Sequence, residues 1–328
     1  MNDNNAFLYI IVFLITLTLT VLVGRIIVPY LKKRAEQPIY EEGPSWHMSK
    51  SGTPTMGGLS FLISITFALL LSSLYKYIEG DAHGALSILI CAAYALINSS
   101  IGIIDDLTKL KHKKNAGLTP RAKLVLQFIA SALFLFARAI LIGDGTIFSF
   151  PFGSFDIGVL YYPFAMIILV GITNCANLTD GVDGLASSVA FAIGISAFYL
   201  SYLRFDTVCL ISAALSAAAI GFLIFNVHPA KVFMGDTGSL FLGSLVAAMA
   251  YEMVNPILAV TSGGIYVIEG ISVIAQVMVF KACKKRLFKM APIHHHLEKC
   301  GWDENKICIC AISLTLIFAV PTMLLCVR

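Results

Sequence analysis

The chain has 328 residues, 58% of them hydrophobic and 13% charged, with a formal net charge of +4 and a mean hydropathy of +0.85. A soluble domain is about half apolar and about a quarter charged, so this composition excludes one. The positive excess lacks a basic face with interleaved aromatics, which excludes a nucleic-acid partner.

Ten apolar runs are predicted to cross a bilayer: 7–28, 55–74, 85–104, 123–142, 160–176, 185–203, 207–227, 238–254, 257–280 and 307–326. Each is near the roughly 20 residues that a spanning helix needs. The expected fold class is an all-α integral membrane protein with about ten transmembrane helices, a single polytopic domain over 1–328. The first run is too long for a signal peptide and lacks a cleavage site.

The motifs follow in chain order. HMSKSGTPTMGG, with Lys50, Thr55 and Gly57-Gly58, makes a polar entry to the second run. The third run is expected to end at Asp105-Asp106 in IGIIDDLTK. The macrodipole disfavours anions at a helix C-terminus, so a compensating cation is expected there. Adjacent helical side chains diverge by about 100°, which predicts different roles for the two aspartates. Lys123 opens the fourth run. In 143–158, IFSF and SFDIG alternate around Pro151-Phe152-Gly153-Ser154, predicting a small extracytoplasmic β-hairpin.

In NLTDGVDGLA, Asn177, Asp180 and Asp183 are spaced i, i+3, i+6. If the sixth helix begins here, they line one face of its first turns. Capping alone explains one such acid more easily than both. Their amide and carboxylate groups suit a nucleobase or ribose. Asn226 and Asp236 frame NVHPAKVFMGDTGSL. Asp236 resembles an N-cap of the eighth helix, and Phe233 is placed to stack on a planar base.

Glu269 lies within the ninth run, flanked by Gly263-Gly264 and Gly270. An ionisable group at that depth faces protein or a cavity, and the glycines predict a bent or broken span. A structural role for Glu269, holding the kink, is the expectation. His294, His295, His296 and Glu298 follow in PIHHHLEK. Adjacent imidazoles alternate in direction, so at most two should face one site. Together with Lys50, Thr55 and Lys123 they are expected to form a cationic cradle for a diphosphate. The carboxylates suit a hard metal ion.

Eight cysteines are scattered without a CxxC pair, which argues against disulfides and zinc. Lys32, Lys33, Arg34, Lys50 and the basic residues of 109–123 and 281–306 share one side; the other holds little beyond Lys76, Arg204 and Arg328. The positive-inside rule therefore predicts a cytoplasmic site and both termini outside. No Walker motif, strand-linked GxGxxG or GxSxG is present.

These motifs resemble the phospho-N-acetylmuramoyl-pentapeptide transferase family, within the polyprenyl-phosphate N-acetylhexosamine-1-phosphate transferase superfamily. Asp105-Asp106, NLTDGVDGLA and FMGDTGS match the superfamily, whereas KSGTPTMGG and PIHHHLE point to this family. The resemblance runs the length of the chain. It implies transfer from UDP-MurNAc-pentapeptide to undecaprenyl phosphate in the bacterial cell membrane, giving lipid I and UMP and requiring Mg2+. It also implies a homodimer and a lipid-facing groove beside the ninth span. By the same resemblance, Asp236 is the magnesium ligand, with Asp105 and Asp106 catalytic beside the reacting phosphates. Asn177, Asp180, Asp183, Asn226 and Phe233 fall on the nucleoside side. Lys50, Thr55, Lys123 and the three histidines surround the site.

Two other readings compete. A sister transferase acting on UDP-GlcNAc shares the acidic motifs, and PIHHHLE argues against it. An ion-coupled transporter would place polar residues at the midplane of several spans and show an inverted repeat; here they gather at one face.

Overall fold

The computed structural model describes residues 3–33, 50, 52–112, 117–150, 152–202, 206–253 and 256–326. The chain runs through α1 (Asp3–Lys32), α2 (Leu59–Ile78), α3 (Ala82–His112) and α4 (Pro120–Ala137), the last prolonged by a π-helical turn at Arg138–Ile142. A hairpin, β1 (Ile147–Phe150) and β2 (Gly153–Asp156), precedes α5 (Tyr161–Thr179), α6 (Leu185–Ser201), α7 (Asp206–Asn226) and α8 (Gly235–Met253). Then come α9 (Leu258–Ser262), α10 (Gly264–Cys283), α11 (Ile293–Lys299) and α12 (Glu304–Cys326). Arg34, Lys113, Pro151, Arg204 and Arg328 lie outside the described residues.

Each predicted run lies mostly on helix among the described residues. Among the described residues, eight helices are long and apolar enough to cross a bilayer; α6, with 17 residues, is shorter, and α8, with 19, is central and almost wholly buried. Alanine, glycine and serine recur through α6, α7 and α8, and such small residues let backbones approach closely. Buried hydroxyls bond back to the carbonyl four residues earlier, as at Thr16, Ser64, Ser216, Ser244 and Thr315, so they cost little in an apolar interior. The outer faces carry large apolar side chains, among them Phe136, Ile140, Ile167, Ile274 and Ile317. Exposed apolar helices with internally satisfied backbones are what a bilayer requires.

The hairpin forms where the alternation predicted it, antiparallel with Ile147 opposite Asp156 and Phe150 opposite Gly153. Beneath it, Arg138 donates to Asp144 Oδ2 at 2.6 Å and to Ser87 Oγ at 2.8 Å, and pairs with Glu252. This clasp ties α3, α4 and α8 together at the end of the bundle away from the acidic motifs. The ninth run is broken as expected: α9 stops at Ser262, Gly263 interrupts, and α10 restarts at Gly264.

Three boundaries differ from the sequence expectation. Helix α2 begins at Leu59, which leaves Thr55 in the preceding loop. Helix α3 does not end at Asp105-Asp106 but continues to His112, because Lys109 lies one turn on and neutralises both acids. Helix α6 does not begin at Asn177. Asn177 belongs to the last turn of α5, Asp180 is its C-cap, and α6 starts at Leu185. Gly184, at φ 78°, makes the turn between them.

Candidate active site

Helix ends from α3, α4, α5 and α8 converge on one acidic centre. Asp106 points from α3 to the start of α8. Its Oδ1 accepts the Asp236 N–H at 3.2 Å, and its Oδ2 accepts the Thr237 N–H at 2.9 Å and the Thr237 hydroxyl at 2.7 Å. These donors have no partner within their own helix, so Asp106 caps α8 from outside it. Gly235 is required there: it adopts φ 71°, and a Cβ would lie 2.6 Å from Asp106 Oδ2 and 2.7 Å from Thr55 Oγ1. Asp236 is therefore not the cap of its own helix, because that position is already served from α3.

The carboxylate of Asp236 turns the other way. Its Oδ1 accepts from Asn177 Nδ2 at 2.9 Å, and its Oδ2 lies 3.2 Å from Lys109 Nζ and pairs with Lys123. Asn177 also donates to Ser239 Oγ at 2.7 Å, which fixes its amide. Asp105 accepts the Leu118 N–H at 2.7 Å and pairs with Lys109 at 2.6 Å. The two adjacent aspartates thus diverge, one to α8 and one to the loop before α4. Oxygens of Asp105, Asp106 and Asp236 lie within 4.8 Å of one another. Three carboxylates against two ammonium groups leave excess negative charge, and their oxygens lie close enough to share a metal ion.

A second cluster is built around Asp183. Lys50 Nζ lies 2.7 Å from Asp183 Oδ1 and 2.8 Å from Glu304 Oε2. Glu304 Oε2 also accepts the Asp183 N–H at 2.9 Å, and Asp183 Oδ2 accepts the Ala230 N–H at 3.0 Å. His228 Nδ1 is 3.0 Å from Asp183 Oδ2 and 3.2 Å from Glu304 Oε1. Asp183, His228 and Glu304 have ligand atoms close enough to share an ion, but the Lys50 ammonium already contacts both carboxylates. Burial pulls the Lys50 pKa down, yet the hydrogen bonds and charges of Asp183 and Glu304 outweigh it and hold the pKa above its ordinary value.

The residues expected in one cationic cradle, Lys50, Thr55, Lys123 and the histidines, have different partners in the structure. Lys123 serves Asp236, whereas Lys50 is neutralised by two carboxylates elsewhere. The histidines have separate partners, although the rings of His294 and His295 touch. His294 is buried against Glu269, His295 Nδ1 lies 2.5 Å from Glu298, and His296 Nδ1 accepts the Lys289 N–H at 3.1 Å. Glu269 reaches across to α11 rather than bracing the break in its own span. Thr55 is buried beside Gly235, its hydroxyl without a partner among the described residues. Asn226 is buried; its Oδ1 accepts from Gly184 N–H and Ser187 Oγ, and its Nδ2 donates to Val232 O at 2.9 Å. Phe233 is half-buried, and its backbone pairs with Pro54 and Gly57.

Asp180 lies between the two clusters. Burial raises its pKa well above the carboxylate range, and the charges of Asp236, Asp106 and Asp183 raise it further against Lys50. The folded state therefore holds this proton more tightly than the unfolded chain. Stability is full below the unfolded pKa, near 4, and falls as pH rises towards the folded pKa. Asp180→Asn removes that loss, so its melting temperature should exceed wild type at pH 8 and match it near pH 4. Equal melting curves at both pH values would contradict this.

Sequence reasoning missed Lys109, His228 and Glu304. Lys109 was readable, since i+3 and i+4 spacing places it over Asp106 and Asp105. His228 and Glu304 carried no such signal, because they meet Asp183 across 45 and 121 residues.

Comparison with known proteins bears on this geometry. Residues 85–254 match the family model described as glycosyl transferase family 4, and residues 50–62 match the phospho-N-acetylmuramoyl-pentapeptide-transferase signature 1. A phospho-N-acetylmuramoyl-pentapeptide-transferase of Halalkalibacterium halodurans is 41% identical over 310 residues, covering 93% of this chain and 94% of that protein. Proteins of the same description from Clostridium botulinum and Caldicellulosiruptor bescii are 40% and 39% identical over 94% of this chain, and over 91% and 94% of their own lengths. At that identity over nearly its whole length, with the signature on the Lys50 loop and the family model spanning α3 to α8, the chain belongs to the phospho-N-acetylmuramoyl-pentapeptide-transferase family.

Proposed function

We propose that this protein transfers phospho-MurNAc-pentapeptide from UDP-MurNAc-pentapeptide to undecaprenyl phosphate, giving lipid I and UMP. The observation that carries the reading is the cluster of Asp105, Asp106 and Asp236 with Lys109, Lys123 and Asn177 at one end of an apolar bundle. One diphosphate linkage replaces another, so no ATP is needed.

Asp236 and Asp105 would hold Mg2+, which neutralises the diphosphate and polarises the phosphoryl group under attack. Lys109 and Lys123 offset charge that develops on the departing UMP phosphate. Asp106 keeps the first turn of α8, and so Asp236, in place. The lipid phosphate has a second pKa of about 6 and arrives largely dianionic. Asp105 therefore contributes more by placing charge than by removing a proton. The Asp183 cluster, with its ammonium already balanced, suits a neutral polar part of the donor such as the nucleoside.

The test is UMP release by the purified protein supplied with undecaprenyl phosphate and Mg2+. Turnover is expected with UDP-MurNAc-pentapeptide and not with UDP-GlcNAc. The reverse preference would establish the sister transferase. Chelation should abolish turnover and added Mg2+ restore it. A homodimer is part of the same reading and is checked by the mass of the detergent-solubilised protein.

The site belongs on the cytoplasmic face of the cell membrane, with both termini outside. In intact cells carrying cysteine-free variants, Phe152→Cys should react with an impermeant maleimide and Lys289→Cys should not. External labelling at position 289 would reverse the orientation.

A further inference from the structure

We propose that Glu269 is a positioning residue that aims His294 at the sugar-nucleotide donor. The inference rests on the transferase reading above and adds a residue and a ligand chemistry to it. Glu269 lies on α10 and is buried at 4% exposure. Its Oε2 is 3.1 Å from His294 Nδ1 and 3.4 Å from the His294 backbone N.

The scaffold around the pair is tight. A Cβ at Gly270 would overlap Cys175 Sγ, so the glycine lets α10 lie directly on α5. Tyr266 OH donates to Ala186 O in the first turn of α6 at 3.0 Å. Helix α10 therefore braces the 180–184 turn from both sides and holds Glu269 at a fixed distance from it.

A carboxylate only accepts hydrogen bonds, so His294 Nδ1 carries the proton. In the neutral ring Nε2 is then a bare acceptor. It is buried and has no partner among the described residues, and it lies so close to Gly181 that a Cβ there would overlap it. Gly181 sits in the turn between Asp180 and Asp183. A buried acceptor left unpaired costs about 1–3 kcal/mol, and buried polar atoms in native proteins are nearly always paired. The missing partner is a ligand O–H or N–H. Phosphate dianions carry neither, so the neutral ring does not pair with them. The hydroxyl and amide groups of the donor remain. His295 and His296 differ, each with its Nδ1 engaged within its own loop.

The experiment is steady-state kinetics with each substrate varied. Glu269→Gln offers Nδ1 both an acceptor and a donor, so it no longer fixes the tautomer. It should raise KM for UDP-MurNAc-pentapeptide about 10-fold, the loss of roughly one hydrogen bond, and leave KM for undecaprenyl phosphate unchanged. His294→Ala should do the same, and the double variant should be no worse than His294→Ala alone. Additive losses, or an unchanged donor KM, would overturn the proposal. Gly181→Ala, whose methyl group displaces Nε2, repeats the test without touching Glu269 should Glu269→Gln not fold, and an unchanged donor KM there is equally fatal. Weaker UMP inhibition in the variants assigns the contact to the nucleoside, and unchanged UMP inhibition assigns it to the sugar-peptide part. If wild type releases no UMP, the transferase reading fails first and separately.

Discussion

Asp236→Asn is expected to lower kcat by about 10^3-fold, the scale of losing one charged group aimed at a reacting phosphate, in a protein that still folds. The retained fold follows from the geometry. The N-terminus of α8 is capped by Asp106, whose three accepted hydrogen bonds do not involve the Asp236 side chain. The lost rate follows from the charge. Asp236 alone meets Asn177, Lys109 and Lys123 together, and in the amide variant Lys109 and Lys123 face the site with one counter-charge fewer. Mg2+ affinity should fall in parallel, measured by the Mg2+ dependence of UMP release beside thermal melting. An active, stable variant with unaltered Mg2+ dependence would remove Asp236 from the metal site.

The adjacent aspartates should fail in different ways. Asp106→Ala strips the cap from α8 and strands two N–H groups and a hydroxyl in a buried place. At about 1–3 kcal/mol for each unsatisfied group, partly relieved by rearrangement, a total loss of roughly 2–4 kcal/mol is expected. Activity should fall with it, because the frayed turn carries Asp236. Asp105→Asn keeps an oxygen for the Leu118 N–H, so its melting temperature should stay near wild type. It loses the charge that holds Lys109, and its turnover should drop without a change in fold. Melting and kinetics of both variants decide this. A fall in melting temperature for Asp105→Asn as large as for Asp106→Ala would contradict the assignment of the cap.

The broken ninth span shows how far a local pattern reaches. Gly263-Gly264 interrupts the helix, and an interruption was readable from the glycines of that run. The partner of Glu269 was not. A buried carboxylate must be satisfied somewhere, but His294 comes 25 residues later on another helix, and no periodicity links them. The same holds for Asp236. Its place at the start of a helix suggested a cap, the commonest use of that position. The competing carboxylate sits 130 residues earlier.

What the sequence alone determined is what depends on local physics. Long apolar runs can form only helices in a bilayer, Lys and Arg placement orders the loops, and the alternation around Phe152 makes a hairpin. The acidic and histidine motifs were legible because polar residues at the edge of an apolar run are costly and so carry information. The tertiary structure alone decided how those motifs divide: Asp105, Asp106 and Asp236 around Lys109 and Lys123, Asp183 around Lys50 and Glu304, His294 against Glu269. Pairing of buried charges is settled by distance in space, falling off over a few ångströms, and helix packing sets those distances independently of separation along the chain.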